Sequence, residues 1–163
     1  MTAILVLGGN KYKGILDMKS IKQIQYELSV KGFNYRIDQL FEEISKPNML
    51  VVLEFILQSI DESSDRLLTE IIDADLKILF NYINDLLEVS LPKKKHSSID
   101  DFESLELEEE KQDWDFEFMQ YLWYSELKRS DDFWSITPKS FNAQIDIHQK
   151  IRGKKDDKKV EYL

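Results

Sequence analysis

Apolar residues recur along this chain in short blocks, first as a continuous run and then at spacings of three and four. Ala3-Ile4-Leu5-Val6-Leu7 is a run of strand-forming side chains. Gly8-Gly9-Asn10 follows, residues that tolerate positive φ in a tight turn, and Lys11 to Leu16 can return as a second strand. The pattern predicts a β-hairpin, which must pack on later elements because an isolated hairpin is marginal in water.

From Met18 the period becomes helical. Met18, Ile21, Ile24 and Leu28 share one face, Ser20 and Gln23 have the spacing of a capping box, and Gly32 suits a C-terminal stop. Ile37, Leu40, Phe41 and Ile44 predict a second helix that breaks before Pro47, and Met49, Leu53, Ile56, Leu57 and Ile60 predict a third. The polar stretch Asp61-Glu62-Ser63-Ser64 ends it. Asp65 is placed to cap a helix carrying Leu67, Leu68, Ile71 and Ile72, and Asp73 to cap one carrying Leu76, Leu79, Phe80, Ile83 and Leu87. Stripes of this kind are packing surfaces, so residues 1–92 are expected to form a small helical domain with the hairpin at its start.

The pattern breaks after Leu91-Pro92. Lys93-Lys94-Lys95 and His96 lead into a run containing Asp100, Asp101, Glu103, Glu106, Glu108, Glu109, Glu110 and Asp113. A segment so charged repels itself and has little to bury, so 93–113 is expected to be a flexible acidic linker, with Phe102, Leu105 and Leu107 available for local docking.

Periodicity resumes with aromatic side chains. A helix is expected from Trp114, with Trp114, Phe118, Tyr121, Leu122 and Ser125 on one face and Phe116, Trp123 and Leu127 toward another. Asp131 and Asp132 mark its end or a connection. Thr137-Pro138 then reads as an N-cap followed by proline at the first helical position, where the missing N–H costs nothing. Phe141, Ile145 and His148 project from one side of that last helix, and its lysine-rich end is expected to fray. The whole is mainly α: a helical domain with a short N-terminal hairpin, an acidic linker, and a small C-terminal helical segment over 114–163.

Composition narrows what such a chain can do. Its 163 residues carry a net charge of −9, which opposes binding to nucleic acid or to anionic membrane. A basic or apolar protein partner is easier to accommodate. There is no cysteine, hence no disulfide, thiolate metal site or thiol nucleophile. The apolar run at 3–7 is too short to span a bilayer and lacks the flanks of a secretory signal.

Two histidines, His96 and His148, offer little material for a general base or a zinc site. The acidic run lacks the glycine and ligand spacing of an EF-hand loop, and Gly8-Gly9 is not followed by a phosphate-binding fingerprint. No catalytic residue, metal site or cofactor is expected. All three tryptophans lie at or beyond position 114, and large rigid aromatics are enriched at interface hot spots. The candidate partner-binding residues are therefore Trp114, Phe118, Trp123, Phe133, Trp134, Ile136, Pro138 and Phe141. The same residues can instead close a small core, and one face can pack while another recruits.

Trp114-Asp115-Phe116 and the phrase Asp132-Phe133-Trp134-Ser135-Ile136-Thr137-Pro138-Lys139-Ser140-Phe141 carry a resemblance. Together with the order of helical domain, charged connector and short second segment, they resemble the tail assembly chaperones of long-tailed bacteriophages. That family is made as a shorter G form and an extended G-T form. The resemblance implies a non-enzymatic protein of the bacterial host cytoplasm, absent from the mature virion. Its first domain would self-associate along the tape measure protein, and its second segment would recruit tail tube protein and could contribute to tape measure binding. It also implies ribosomal slippage near the end of the first domain, where Lys93-Lys94-Lys95 lies. Two rivals stay open: a small acidic regulatory or antitoxin-like binding module, and a metal-dependent hydrolase built from scattered carboxylates.

Overall fold

The alternation of the first strand settles how the chain begins. The computed structural model describes residues 1–61, 65–93 and 112–160. Strands β1 (Ala3–Leu7) and β2 (Asn10–Gly14) pair antiparallel with Leu7 opposite Asn10, leaving Gly8-Gly9 as a two-residue turn. Both glycines have positive φ, 55° and 80°, as a type I′ turn requires. Ala3, Leu5, Leu7 and Tyr12 point inward, and Ile4, Val6, Lys11 and Lys13 point outward. The second strand stops at Gly14 rather than Leu16 because the next residues turn to meet another element. Gly14 bridges Ile60, and the Ile15 N–H donates to the Ser59 carbonyl at 3.0 Å.

Five helices follow, and the fold is mainly α. Helix α1 (Met18–Val30) buries Met18, Ile21, Ile24 and Leu28, the face its spacing predicts. Its cap is Asp17, whose carboxylate accepts from the Ser20 N–H at 2.8 Å, so the expected Ser20 and Gln23 box is replaced by an aspartate one turn earlier. At its other end Gly32 sits at φ +92°, with Gly32 N–H donating to Ser29 and Phe33 N–H to Leu28, the two bonds of a Schellman motif.

Helix α2 (Ile37–Glu43) buries Ile37 and Leu40, and α3 (Met49–Ser59) buries Val51, Val52, Phe55 and Ile56. The inward face of α3 is thus rotated from the expected stripe. Met49 is exposed, while Leu53 and Leu57 are half-buried at its edges. Its polar pair, Glu54 and Gln58, does not mark a solvent side, because Glu54 is buried beside Lys31, and contact with α1 and α5 decides the phase. Helix α4 (Asp65–Ile72) buries Leu67 and Ile71 and leaves Leu68 and Ile72 outside. Helix α5 (Leu76–Ser90) is capped by Asp75, not Asp73; it packs on β1 and buries Leu79, Tyr82, Ile83 and Leu86.

Three buried polar side chains of this core have partners. Ser90 Oγ accepts the Leu16 N–H at 3.0 Å, and Ser59 Oγ shares a 2.8 Å hydrogen bond with Tyr82 Oη. Glu54, almost fully buried, is neutralised by Lys31.

After the acidic run come α6 (Phe116–Tyr121), a five-residue π-helical continuation (Leu122–Glu126), a 3₁₀ turn (Phe133–Ser135) and α7 (Pro138–Val160). The segments expected as 1–92 and 114–163 share one buried cluster, which includes Phe116, Trp123 and Phe133. The expected linker falls mostly at 94–111, outside the described residues, as do His96, Phe102, Leu105 and Leu107. The side chains of the lysine-rich end beyond Gly153 lie outside them too.

Candidate protein-binding surface

The aromatic segment is built outward from the domain it rests on. Rings run in near-contact from Phe55 in α3 to Phe41 (centroids 6.1 Å apart), to Trp114 (6.0 Å), to Phe116 (6.0 Å) and to Trp134 (5.6 Å). They continue to Phe133 (5.2 Å), to Phe141 (6.1 Å) and to Trp123 (6.1 Å). Spacings of 4.5–7 Å with tilted or edge-on planes are the favourable geometry for aromatic pairs. One ladder therefore ties the C-terminal segment to the core of residues 1–92.

Polar groups fix the ladder's register. The Met18 N–H, an orphan at the start of α1, donates to the Ile136 carbonyl at 2.9 Å. Asp113, the last residue of the acidic run, accepts from the Ile37 N–H at 2.9 Å and from Gln25 Nε2 at 2.6 Å, so it serves the first turn of α2 from 76 positions away. Asp115 caps α6 through the Phe118 N–H, so the helix starts two residues later than the tryptophan that was expected to open it. Trp123 Nε1 donates to the Asp131 carbonyl at 2.8 Å, and Arg129 lies over the same indole at 5.5 Å. Asp132 caps the 3₁₀ turn, and Thr137 Oγ1 accepts the Ser140 N–H at 3.1 Å, the predicted N-cap before Pro138.

These constraints sort the candidate residues. Trp123 and Phe133 are 1% and 0% exposed, and Pro138 is buried, so they hold the segment in place. Trp114, Trp134, Ile136 and Phe141 are half-buried, with one side on the core and one edge open. Phe118 is 56% exposed, and Tyr121, one turn further along α6, is also 56% exposed. Tyr121 was absent from the candidate set although its i+3 spacing from Phe118 marks it. Tyr124 is partly open, with its hydroxyl accepting from the Phe133 N–H at 3.0 Å.

Helical spacing explains the sorting. Phe116, Trp123 and Leu127, expected together on the second face, turn inward, the first two buried and the third half-buried, while Phe118 and Tyr121 of the first expected face are exposed. Trp114 lies ahead of the helix and packs on Phe41 instead. Leu127 N–H donates to the Leu122 carbonyl, a five-residue step that closes the helix in a π-helical turn.

Chemistry of other kinds has less material. Among the described residues no three His, Asp or Glu side chains converge to hold a metal ion, and no helix is long and apolar enough to cross a membrane. His148 Nε2 is enclosed without a hydrogen-bond partner. One acid perturbation is structural: Glu70 is held below the usual carboxylate range by its hydrogen bond from Tyr12 above all, opposed by burial and aided by Asn10 and Arg66. Tyr82 is pushed up to about 12 by burial, partly offset by Ser59. Comparison with protein-family models, with curated proteins and with solved structures returns no match for this chain.

Proposed function

We propose that this protein is a tail assembly chaperone of a long-tailed bacteriophage, working without catalysis in the host cytoplasm. The observation that carries the proposal is the pair Phe118 and Tyr121, each 56% exposed on a short helix whose opposite side is locked to the core. Large aromatics left in water on a rigid support are the usual anchors of a protein interface. A tape measure protein offers the matching chemistry, because its long apolar helices are aggregation-prone until covered. The net charge of −9 would keep the resulting complex soluble.

The phrase from Asp132 to Phe141 supports the same assignment. Its aspartate and threonine cap successive helical turns and its phenylalanines lie in the ladder, so the features on which the family resemblance rests act together in the fold. In this proposal the exposed aromatic pair engages the tape measure protein, and the open edges of Trp134 and Phe141 help recruit tail tube protein. Self-association along the tape measure protein falls to residues 1–92.

The test is co-expression with the tape measure protein encoded in the same gene cluster. A soluble complex of the two is expected. A tape measure protein that stays equally insoluble with and without this chain would overturn the proposal, and a toxin or regulator as the neighbouring gene product would favour the acidic regulatory module.

A further inference from the structure

The outer side of α1 lines an open groove made of two adjoining depressions, with Trp134 of the aromatic ladder at one end. One depression, of about 400 Å³, is lined by Lys19, Lys22, Gln23, Tyr26 and Trp134. A second, of about 460 Å³, adjoins it through Lys22 and Tyr26 and reaches Tyr35, Arg36 and Asp113. The first is unusual for so acidic a chain, since both of its charged residues are cationic.

Neither lysine has a carboxylate partner among the described residues. Lys22 Nζ instead lies 5.2 Å from the Trp134 ring centroid and 5.7 Å from that of Phe116. At the far end the charges are already engaged, with Arg36 on Asp38 at 3.0 Å and Asp113 on the Ile37 and Gln25 N–H groups. Tyr26 is 60% exposed between the two depressions. The groove thus presents, at one end, two ammonium groups with no carboxylate partner among the described residues, and open aromatic surface beside them.

We propose that this groove binds an acidic peptide segment of a partner protein, one carrying carboxylates next to an aromatic or aliphatic side chain. The carboxylates pair with Lys19 and Lys22, and the apolar side chain lies against Tyr26 and Trp134. Charge complementarity selects a short peptide over a nucleic acid. With a screening length of about 8 Å, a few carboxylates feel mainly the two lysines, whereas an extended polyphosphate also meets the surrounding acidic surface.

The probe is a fluorescently labelled short peptide in which glutamates flank one phenylalanine and one leucine, titrated with the full chain and followed by anisotropy. Binding is expected that weakens with added salt, and that falls by roughly two- to thirty-fold in the Lys19→Gln/Lys22→Gln double variant, as expected for two exposed ion pairs. Phe118→Ala, at a residue that lines neither depression, is expected to leave this affinity unchanged, which separates failure here from failure of the chaperone assignment. Both lysines are exposed, so the double variant is expected to keep the parent's circular dichroism spectrum. Equal binding of the same peptide with glutamines in place of glutamates would overturn the proposal. So would insensitivity to the lysine substitutions, tighter binding of oligothymidylate, or no binding of the acidic peptide.

Discussion

Replacing Phe133 with alanine asks whether the C-terminal aromatic segment is part of the core or a passenger on it. The ring is fully buried, 5.2 Å from Trp134 and 6.1 Å from Phe141 at the ladder's turning point. Its 3₁₀ turn packs on α1, and the next carbonyl, that of Ile136, takes the Met18 N–H. Phenylalanine-to-alanine changes at such sites cost about 3–5 kcal/mol. In a chain of this size each kcal/mol lowers the melting temperature by about 2–4 °C, so a fall of about 6–20 °C is expected. The assay is thermal unfolding by far-ultraviolet circular dichroism, combined with amide hydrogen exchange resolved over α1 and α5. If the segment belongs to the core, protection of α1 amides falls together with that of α6 and α7. Phe118→Ala, at an exposed site, is expected to change stability by no more than about 0.5 kcal/mol. Exchange confined to residues 112–160, with α1 and α5 protected as in the parent, would refute the shared core.

The remaining expectations concern the hairpin. A Cβ at Gly14 would overlap Tyr82 Oη and sit 3.2 Å from the Ser59 carbonyl oxygen, so Gly14→Ala is expected to destabilise by about 1–3 kcal/mol in urea unfolding. Tyr82→Phe in the same chain should recover part of that loss, and a strictly additive double variant would refute the clash. Glu70 joins α4 to the hairpin through Tyr12 and Asn10. Because its native pKa lies below the ordinary 4.5, its contribution is fully present above that value and is lost as pH falls through the native pKa. Urea midpoints should therefore fall less steeply on acidification in Glu70→Gln than in the parent. Parallel acid limbs would show that this carboxylate contributes nothing.

Local signals carried much of this fold in the sequence. The strand-forming run at 3–7, the Gly8-Gly9 turn, the buried face of α1, Gly32 and the Thr137-Pro138 start depend on residues within a turn of one another, and the structure keeps each of them. The two displaced caps, Asp17 for Ser20 and Asp75 for Asp73, are shifts of two or three residues among side chains of similar capping ability. The phase of α3 was beyond reach because its one charged residue, Glu54, is buried beside Lys31 rather than facing solvent.

For the aromatic segment the limits were physical too. The helix expected from Trp114 opens at Phe116 because the Asp115 carboxylate takes the Phe118 N–H, which leaves the tryptophan ahead of the helical face. Asp113 looked like one more charge in an acidic run, yet it serves a helix 76 residues away. Contacts of that separation leave no periodic trace, and they decide which aromatics are core and which are surface.

The most direct measurement is the affinity of the tape measure protein's helical segments for the Phe118→Ser/Tyr121→Ser double variant, compared with the parent chain. Both residues are exposed, so the variant should retain the parent's spectrum and melting temperature. Loss of two anchor residues is predicted to weaken binding by about thirty-fold or more, as expected when at least 2 kcal/mol of interface energy is removed. Unchanged affinity in a folded variant would contradict the claim that this face captures the partner.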